Sequence, residues 1–261
     1  RYPSLRAFTK EFRMNTVASR NLQGLIDVYW VPDDDTFRNI VSPVQLHEIN
    51  KLLKEINVRL ERKKIIAPLM FMNEYYLTAL DGTGHISSKK IKCPLCLTRE
   101  KDGKTHYMHH ALAATFIDTS ANTSLCMAYE PIINSEDKQE YDKNDCEITA
   151  AKRLLTNLKQ LYPKRVFCIT GDNLYAVTPI TKLILSLKWH FVITAKPDRN
   201  KELYTWFNYQ DYNHKTLTKT DKDGTKHLYR WLNKVPLKQE YHEKNYFYVN
   251  FLEYQEIKST G

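Results

Sequence analysis

Tyr75-Tyr76-Leu77-Thr78-Ala79-Leu80-Asp81-Gly82-Thr83 is the stretch on which the fold turns. Aromatic, aliphatic and β-branched side chains dominate its first part, the composition of a pleated, half-buried strand. Asp81-Gly82-Thr83 then predicts a turn at its end. A second stretch repeats the design: Arg165-Val166-Phe167-Cys168-Ile169-Thr170 reads as a buried strand, and Gly171-Asp172-Asn173 ends it. Each strand thus delivers an aspartate at its carboxyl end. In an open α/β sheet such ends line the functional crevice.

Working outward, Lys104 to Ile117 reads as a strand, Asp118 to Thr123 as a turn, and Ser124 to Tyr129 as the antiparallel return, ended by Glu130-Pro131. A helix is expected from Asp145 through Ala150-Ala151-Lys152-Arg153-Leu154-Leu155 to Tyr162-Pro163, a second over Pro179 to Leu187, and a strand over Trp189 to Ala195. The order is strand, strand, strand, helix, strand, helix, strand. Three antiparallel strands followed by helical crossovers predict an α/β fold, a mixed sheet flanked by helices.

Residues 1–66 read as mostly helical. Pro32-Asp33-Asp34-Asp35 caps a short helix, and Ser42-Pro43 reads as N-cap and first position of a longer one. Leu46, Ile49, Leu53, Ile56 and Leu60 give that helix an apolar face. Lys51, Lys54, Arg59, Arg62, Lys63 and Lys64 make the rest basic, either a solvated surface or one facing DNA. Beyond residue 200 the pattern is short and β-like: Tyr204 to Tyr209, His227 to Val235, Tyr246 to Gln255.

The bulk numbers narrow the function. Hydrophobic residues are 42% of 261, with 7 Gly and 10 Pro, so the chain is globular and not a disordered segment. A formal net charge of +9 suggests an anionic partner, nucleic acid above all. No apolar run is long enough for a membrane span, and Arg1 to Phe8 lack the pattern of a secretion signal. The absence of an initiating Met and the ending in Lys258-Ser259-Thr260-Gly261 suggest a piece of a longer protein. Five cysteines, two of them in Cys93-Pro94-Leu95-Cys96, suit a reducing compartment better than a disulfide scaffold.

Asp81 and Asp172, on strands that can lie side by side, would repel each other unless a cation sat between them. Mg²⁺ or Mn²⁺ suits oxygen ligands, and such a pair suits phosphodiester chemistry. Cys93 and Cys96 are followed by His106, His109 and His110. Two thiolates at that spacing with an imidazole, His109 first, match a tetrahedral structural Zn²⁺ site. The other reading is a pair of reduced thiols with His109 hydrogen-bonded in the sheet. Cys126, Cys146 and Cys168 read as core residues. Nothing poises one thiol beside a base in a recognisable sequence spacing, which disfavours a cysteine nucleophile.

Leu80-Asp81-Gly82-Thr83 with Ser87-Ser88, Cys93-x-x-Cys96, Tyr107-Met108-His109, Glu130-Pro131, Asp145-Cys146-Glu147 with Ala150-Ala151-Lys152-Arg153, and Gly171-Asp172-Asn173-Leu174-Tyr175 follow one another in order. Together with Val31-Pro32-Asp33-Asp34-Asp35-Thr36-Phe37-Arg38, this run resembles bacterial insertion-sequence transposases of the acidic-triad (DDE) type. The resemblance implies a ribonuclease-H-like core over 67–200, a helical, DNA-contacting N-terminal region over 1–66, and a β-rich insertion over 201–261. It implies metal-dependent cleavage and strand transfer at insertion-sequence ends. The partners would be double-stranded DNA (element ends and target) and further copies in a homodimer or synaptic complex, in the bacterial cytoplasm at the nucleoid. Asp81 and Asp172 would be the first two acids, and His190, Lys196 and the basic helix would hold DNA. The family's third acid, a Glu on a helix after the insertion, is not found. Glu240, Glu243, Glu253 and Glu256 read as surface positions, so the chain is expected to be a fragment. Two further readings keep the fold: a DNA-binding remnant without chemistry, and a recombination nuclease.

Glu147 has two readings. With Asp145 as N-cap, it sits in the first turn of a helix, where the dipole favours an acid. In ribonuclease-H-like nucleases, the helix after the third strand can also bring a carboxylate to the metal site.

Overall fold

The computed structural model describes residues 4–14, 16–27, 29–118, 124–134, 144–210, 213–238 and 246–258. The chain divides into two compact units, Arg1–Leu52 and Leu53–Gly261.

The first unit is helical: α1 (Leu5–Arg13), α2 (Val17–Ile26), α3 (Asp34–Val41) and the start of α4 (Leu46–Arg62). Ser4, Thr16 and Asp33 cap the first three, each side chain accepting an N–H three residues on. Ser42 does not open α4. Its N–H closes α3 on Arg38 O at 2.7 Å. Glu48 takes the capping role at α4 by accepting the Gln45 N–H at 2.8 Å.

The second unit holds two sheets. In the larger, β1 (Tyr76–Ser88) is flanked by β3 (Lys104–Ile117), antiparallel, and by β5 (Phe167–Gly171), parallel. β6 (His190–Ile193) lies parallel beyond β5, while β4 (Ser124–Ile132) and β2 (Leu97–Lys101) pair antiparallel with the far edge of β3. Reading β4-β3-β1-β5-β6 across, three antiparallel strands precede two parallel ones joined through α5 (Glu147–Leu161) and α6 (Thr178–Ser186). This is the expected ribonuclease-H-like mixed sheet flanked by helices.

Ala150, Ala151, Leu154, Leu155 and Leu158 form the wholly buried face of α5, which packs on β3 and β4. Phe167 and Trp189 meet edge-on at 4.7 Å beneath α6, whose Ile180 and Ile184 are buried. The second half of α4 is anchored by a polar residue. Asn57, fully buried, has Leu53 O, Cys126 O and Tyr162 Oη within hydrogen-bond reach of its Nδ2 at 2.8, 3.0 and 3.1 Å, sharing its two hydrogens among them. Ile56, expected on the apolar face, is 42% exposed.

Three further expectations are corrected. β1 does not turn at Asp81-Gly82-Thr83. It continues to Ser88 because β3 offers partners from Ala113 down to Tyr107, so Asp81 lies within a strand. Tyr204 to Tyr209 is helical, part of α7 (Lys201–Tyr209), since Leu203 and Phe207, four apart, form one buried face. Cys146 is exposed, just before the first turn of α5, whereas Cys168 is buried and Cys126 half-buried.

α7 packs on the second sheet, β7 (Lys215–Thr220), β8 (Lys226–Lys238) and β9 (Phe247–Ile257), all antiparallel. Leu203, Phe207, Val235, Leu237 and Phe251 form its own core. The turn expected over Asp118 to Thr123 lies, beyond Asp118, outside the described residues, as do Glu240 and Glu243.

Candidate metal centres

The parallel pairing of β1 with β5 ends at Ala79↔Thr170. Asp81 lies two residues further along β1, and Asp172 two residues beyond Thr170, just past the end of β5. Both are exposed. Asp172 is oriented by the Leu174 N–H, which its Oδ1 accepts at 2.8 Å.

Glu147 opens α5 without capping it. Cys146 holds the N-cap position and makes no side-chain cap. Asp145 instead accepts its neighbour's N–H and pairs with Arg153 at 2.7 Å. The Glu147 carboxylate lies over β1. A Cβ on Gly82 would stand 2.8 Å from its Cδ and Oε2. Its Oε1 accepts a short hydrogen bond from the Tyr175 hydroxyl. The Tyr175 ring in turn crosses β5 where a Cβ on Gly171 would stand 2.6 Å from Cδ2. Neither glycine is a turn residue of positive φ. Each removes a side chain where another group must approach the strand.

Tyr175 is 1% exposed, and its hydroxyl pKa is raised, first by burial, then by the bond to Glu147, then by the negative charges of Glu147, Asp172 and Asp81. Three carboxylates from β1, α5 and the end of β5 thus act on one buried hydroxyl. Among the described residues, no Lys or Arg forms an ion pair with any of the three. Such a cluster fits a hard divalent cation. The three do not close into a set with ligand atoms within 4.8 Å of one another, as Cys93, Cys96 and His109 do among the described residues.

Those three form a compact group that could hold a metal ion. The sulfurs are 3.6 Å apart, and His109 Nε2 lies 3.1 Å from Cys93 Sγ and 3.3 Å from Cys96 Sγ. His110 is turned away, its Nε2 where a Gly84 Cβ would meet it at 3.3 Å. Burial pushes the Cys96 thiol up, so it is no poised nucleophile.

Of the residues expected to hold DNA, Lys196 is tied by its backbone to Asn173, next to Asp172, and His190 lies elsewhere. Asn173, beside Asp172, accepts the Lys196 N–H at 2.8 Å and Asn200 Nδ2 at 2.8 Å, fixing the chain as it leaves β6. His190 pairs with Cys168 at the other end of β6 and stacks edge-on against Tyr75 at 4.8 Å. Glu253 is bound by Arg230 at 2.5 Å, and Glu256 is exposed, in keeping with surface roles. Sequence reading missed Tyr175, Gly82, Gly171 and Asn173 as parts of the site. Gly82, Gly171 and Asn173 adjoin the two aspartates in sequence, and Tyr175 follows Asp172 by three residues.

No family model matches the chain, and no curated relative does. Among solved structures it is similar to a piggyBac transposase, seen in a synaptic complex with hairpin DNA, at 13% identity and a TM-score of 0.33. The match covers 60% of this chain and 30% of that one, so the chain spans well under half of its neighbour's length. Among the described residues, no helix is long and apolar enough to cross a membrane.

Proposed function

We propose that this chain is the ribonuclease-H-like part of a DDE transposase of the insertion-sequence type, cutting and joining DNA with Mg²⁺ or Mn²⁺. What supports the reading is that Asp81 and Asp172 each follow by two residues the last pair of the parallel ladder between β1 and β5, with the Glu147 carboxylate laid against Gly82. The ordered run of sequence elements described above supports the family assignment.

Asp81 and Asp172 would hold the cation, and Glu147 would be the carboxylate beside them. The bound ion would supply Lewis-acid stabilisation at the phosphate and a more acidic water or 3′-hydroxyl. The chain's own residues do the positioning. The Leu174 N–H orients Asp172, and Tyr175, kept protonated by burial and by the surrounding acids, holds Glu147. Lys196, whose backbone N–H is held by Asn173 beside Asp172, would supply a cation for a phosphate. The partners in this reading are element ends and target DNA, with the 1–66 helices as a second DNA contact, and the setting is the bacterial cytoplasm.

The test is incubation of the chain with supercoiled plasmid and Mn²⁺, following nicked, linear and joined products. Joined products that disappear in Asp81→Asn and Asp172→Asn are expected. Nicking without joining would favour the nuclease reading. DNA binding without either would favour a remnant that does no chemistry.

A further inference from the structure

The sulfurs of Cys93 and Cys96 and Nε2 of His109 stand 3.1, 3.3 and 3.6 Å apart, about 16 Å along β1 from Asp81 at ~3.3 Å per residue. We propose that they bind a structural Zn²⁺ ion through these three ligands and a water.

Hydrogen bonding alone leaves the arrangement unexplained. A ring nitrogen offers one hydrogen or one lone pair, yet two sulfurs crowd His109 Nε2. A tetrahedral zinc with Zn–S of about 2.3 Å and Zn–N of about 2.0 Å asks for ligand separations of roughly 3.5–3.8 Å. The observed triangle needs only a few tenths of an ångström of opening to reach that. Two soft thiolates and a borderline imidazole select zinc over the hard ions suited to the carboxylate site.

The backbone holds the ligands in place before any ion arrives. Cys96 N–H donates to Cys93 O at 3.1 Å and closes the turn, and Cys93 N–H points at Cys96 Sγ at 3.2 Å. Leu97 pairs with Met108, which sets Cys96 beside His109 by sheet register. Buried Asn134 pins the turn from below: its N–H donates to Leu95 O at 3.1 Å and its Nδ2 to Cys96 O at 2.7 Å. Its Oδ1 accepts the Asp145 N–H at 3.0 Å, two residues before Glu147. The ion would therefore tie the β1–β2 connection to β3 and, through Asn134, to the start of α5. Cys93 is exposed, which leaves the fourth corner to water.

The site is independent of the proposed phosphoryl-transfer centre, and its test is metal content, not activity. The whole chain would be purified without chelator from zinc-supplemented cells and its zinc measured, then exchanged for Co²⁺ and its absorption spectrum recorded. One zinc per chain is expected, with a tetrahedral cobalt spectrum carrying thiolate charge-transfer bands. Cys96→Ser and His109→Ala should lose both, and Cys126→Ser should keep both. The cobalt spectrum of the parent requires no variant, so a misfolded mutant would not shield the proposal. A metal-free parent without that spectrum would overturn it. So would zinc retained in both ligand variants, or a parent lighter by two hydrogens, which is a Cys93–Cys96 disulfide.

Discussion

The carboxylate of Glu147 lies on the backbone of Gly82, with no room for a methyl group between them: a Cβ there would stand 2.8 Å from Cδ and 3.0 Å from Oε1. Gly82→Ala therefore tests the acid cluster without touching an acid. The clash falls on the end of a flexible side chain, so the fold should survive and Glu147 should swing away. Mn²⁺ affinity is expected to fall by about tenfold or more, the scale typical of disturbed supporting groups at metal sites. Titration calorimetry at unchanged circular dichroism checks this. Unaltered affinity would separate Glu147 from the metal.

Gly171 poses the opposite case. A Cβ there meets the Tyr175 ring at 2.6 Å, and that ring is buried and cannot retreat. Gly171→Ala should cost about 1–3 kcal/mol by overpacking. Tyr175→Phe keeps the ring and removes only the hydroxyl that Glu147 accepts, at about 1 kcal/mol. Urea unfolding of both variants gives the ranking. Equal costs would mean that the ring is not what Gly171 accommodates.

Arg153 joins β4 to the start of α5, donating to Glu130 at 2.6 Å, Asp145 at 2.7 Å and Pro131 O at 3.1 Å. Its guanidinium pKa is raised, first by the bond to Asp145. Arg153→Met removes the cation and leaves two largely buried carboxylates facing each other. A loss of about 2 kcal/mol is expected, moderated because the Arg153 side chain is 41% exposed. Restoration by Arg153→Lys should be incomplete, since one ammonium cannot span both acids and the carbonyl. Full restoration would reduce the bridge to simple charge.

Burial, and then the bond to Glu61, push the Tyr76 hydroxyl up to about 12. The folded value lies above the unfolded one, near 10. The stabilisation is therefore complete below pH 10 and is lost as pH rises towards 12. Denaturant unfolding between these limits should show a steep fall that Tyr76→Phe makes shallower. An identical slope in the variant would place the alkaline sensitivity elsewhere, for instance on Tyr175 or Tyr162, which are also raised.

Much of the sheet was legible because Tyr76–Leu80 and Phe167–Ile169 form nearly continuous buried runs bounded by clear breakers. Lys104–Ile117 is found to the residue, and the strands before Asp81 and Asp172 pair in parallel as neighbours. Legibility ended where tertiary partners override local signals. Asp81-Gly82-Thr83 carries the composition of a turn, yet β3 is long enough to hold it extended. Gly82 and Gly171 look like turn glycines and are clearance for Glu147 and Tyr175, a role visible only once α5 and the 172–175 turn are in place. Asn57 was hidden because a buried asparagine on α4 depends on acceptors 69 and 105 residues away. Arg153, Glu130 and Asp145 were noted together as a sequence pattern, but their joint bridge needed the fold.

The most direct measurement of the central claim is calorimetric titration of Mn²⁺ into the parent, Asp81→Asn and Asp172→Asn, with zinc content fixed beforehand. A shared centre predicts specific binding by the parent and loss in both variants. No specific binding by the parent, or variants that bind as it does, would contradict a metal held between these two strands.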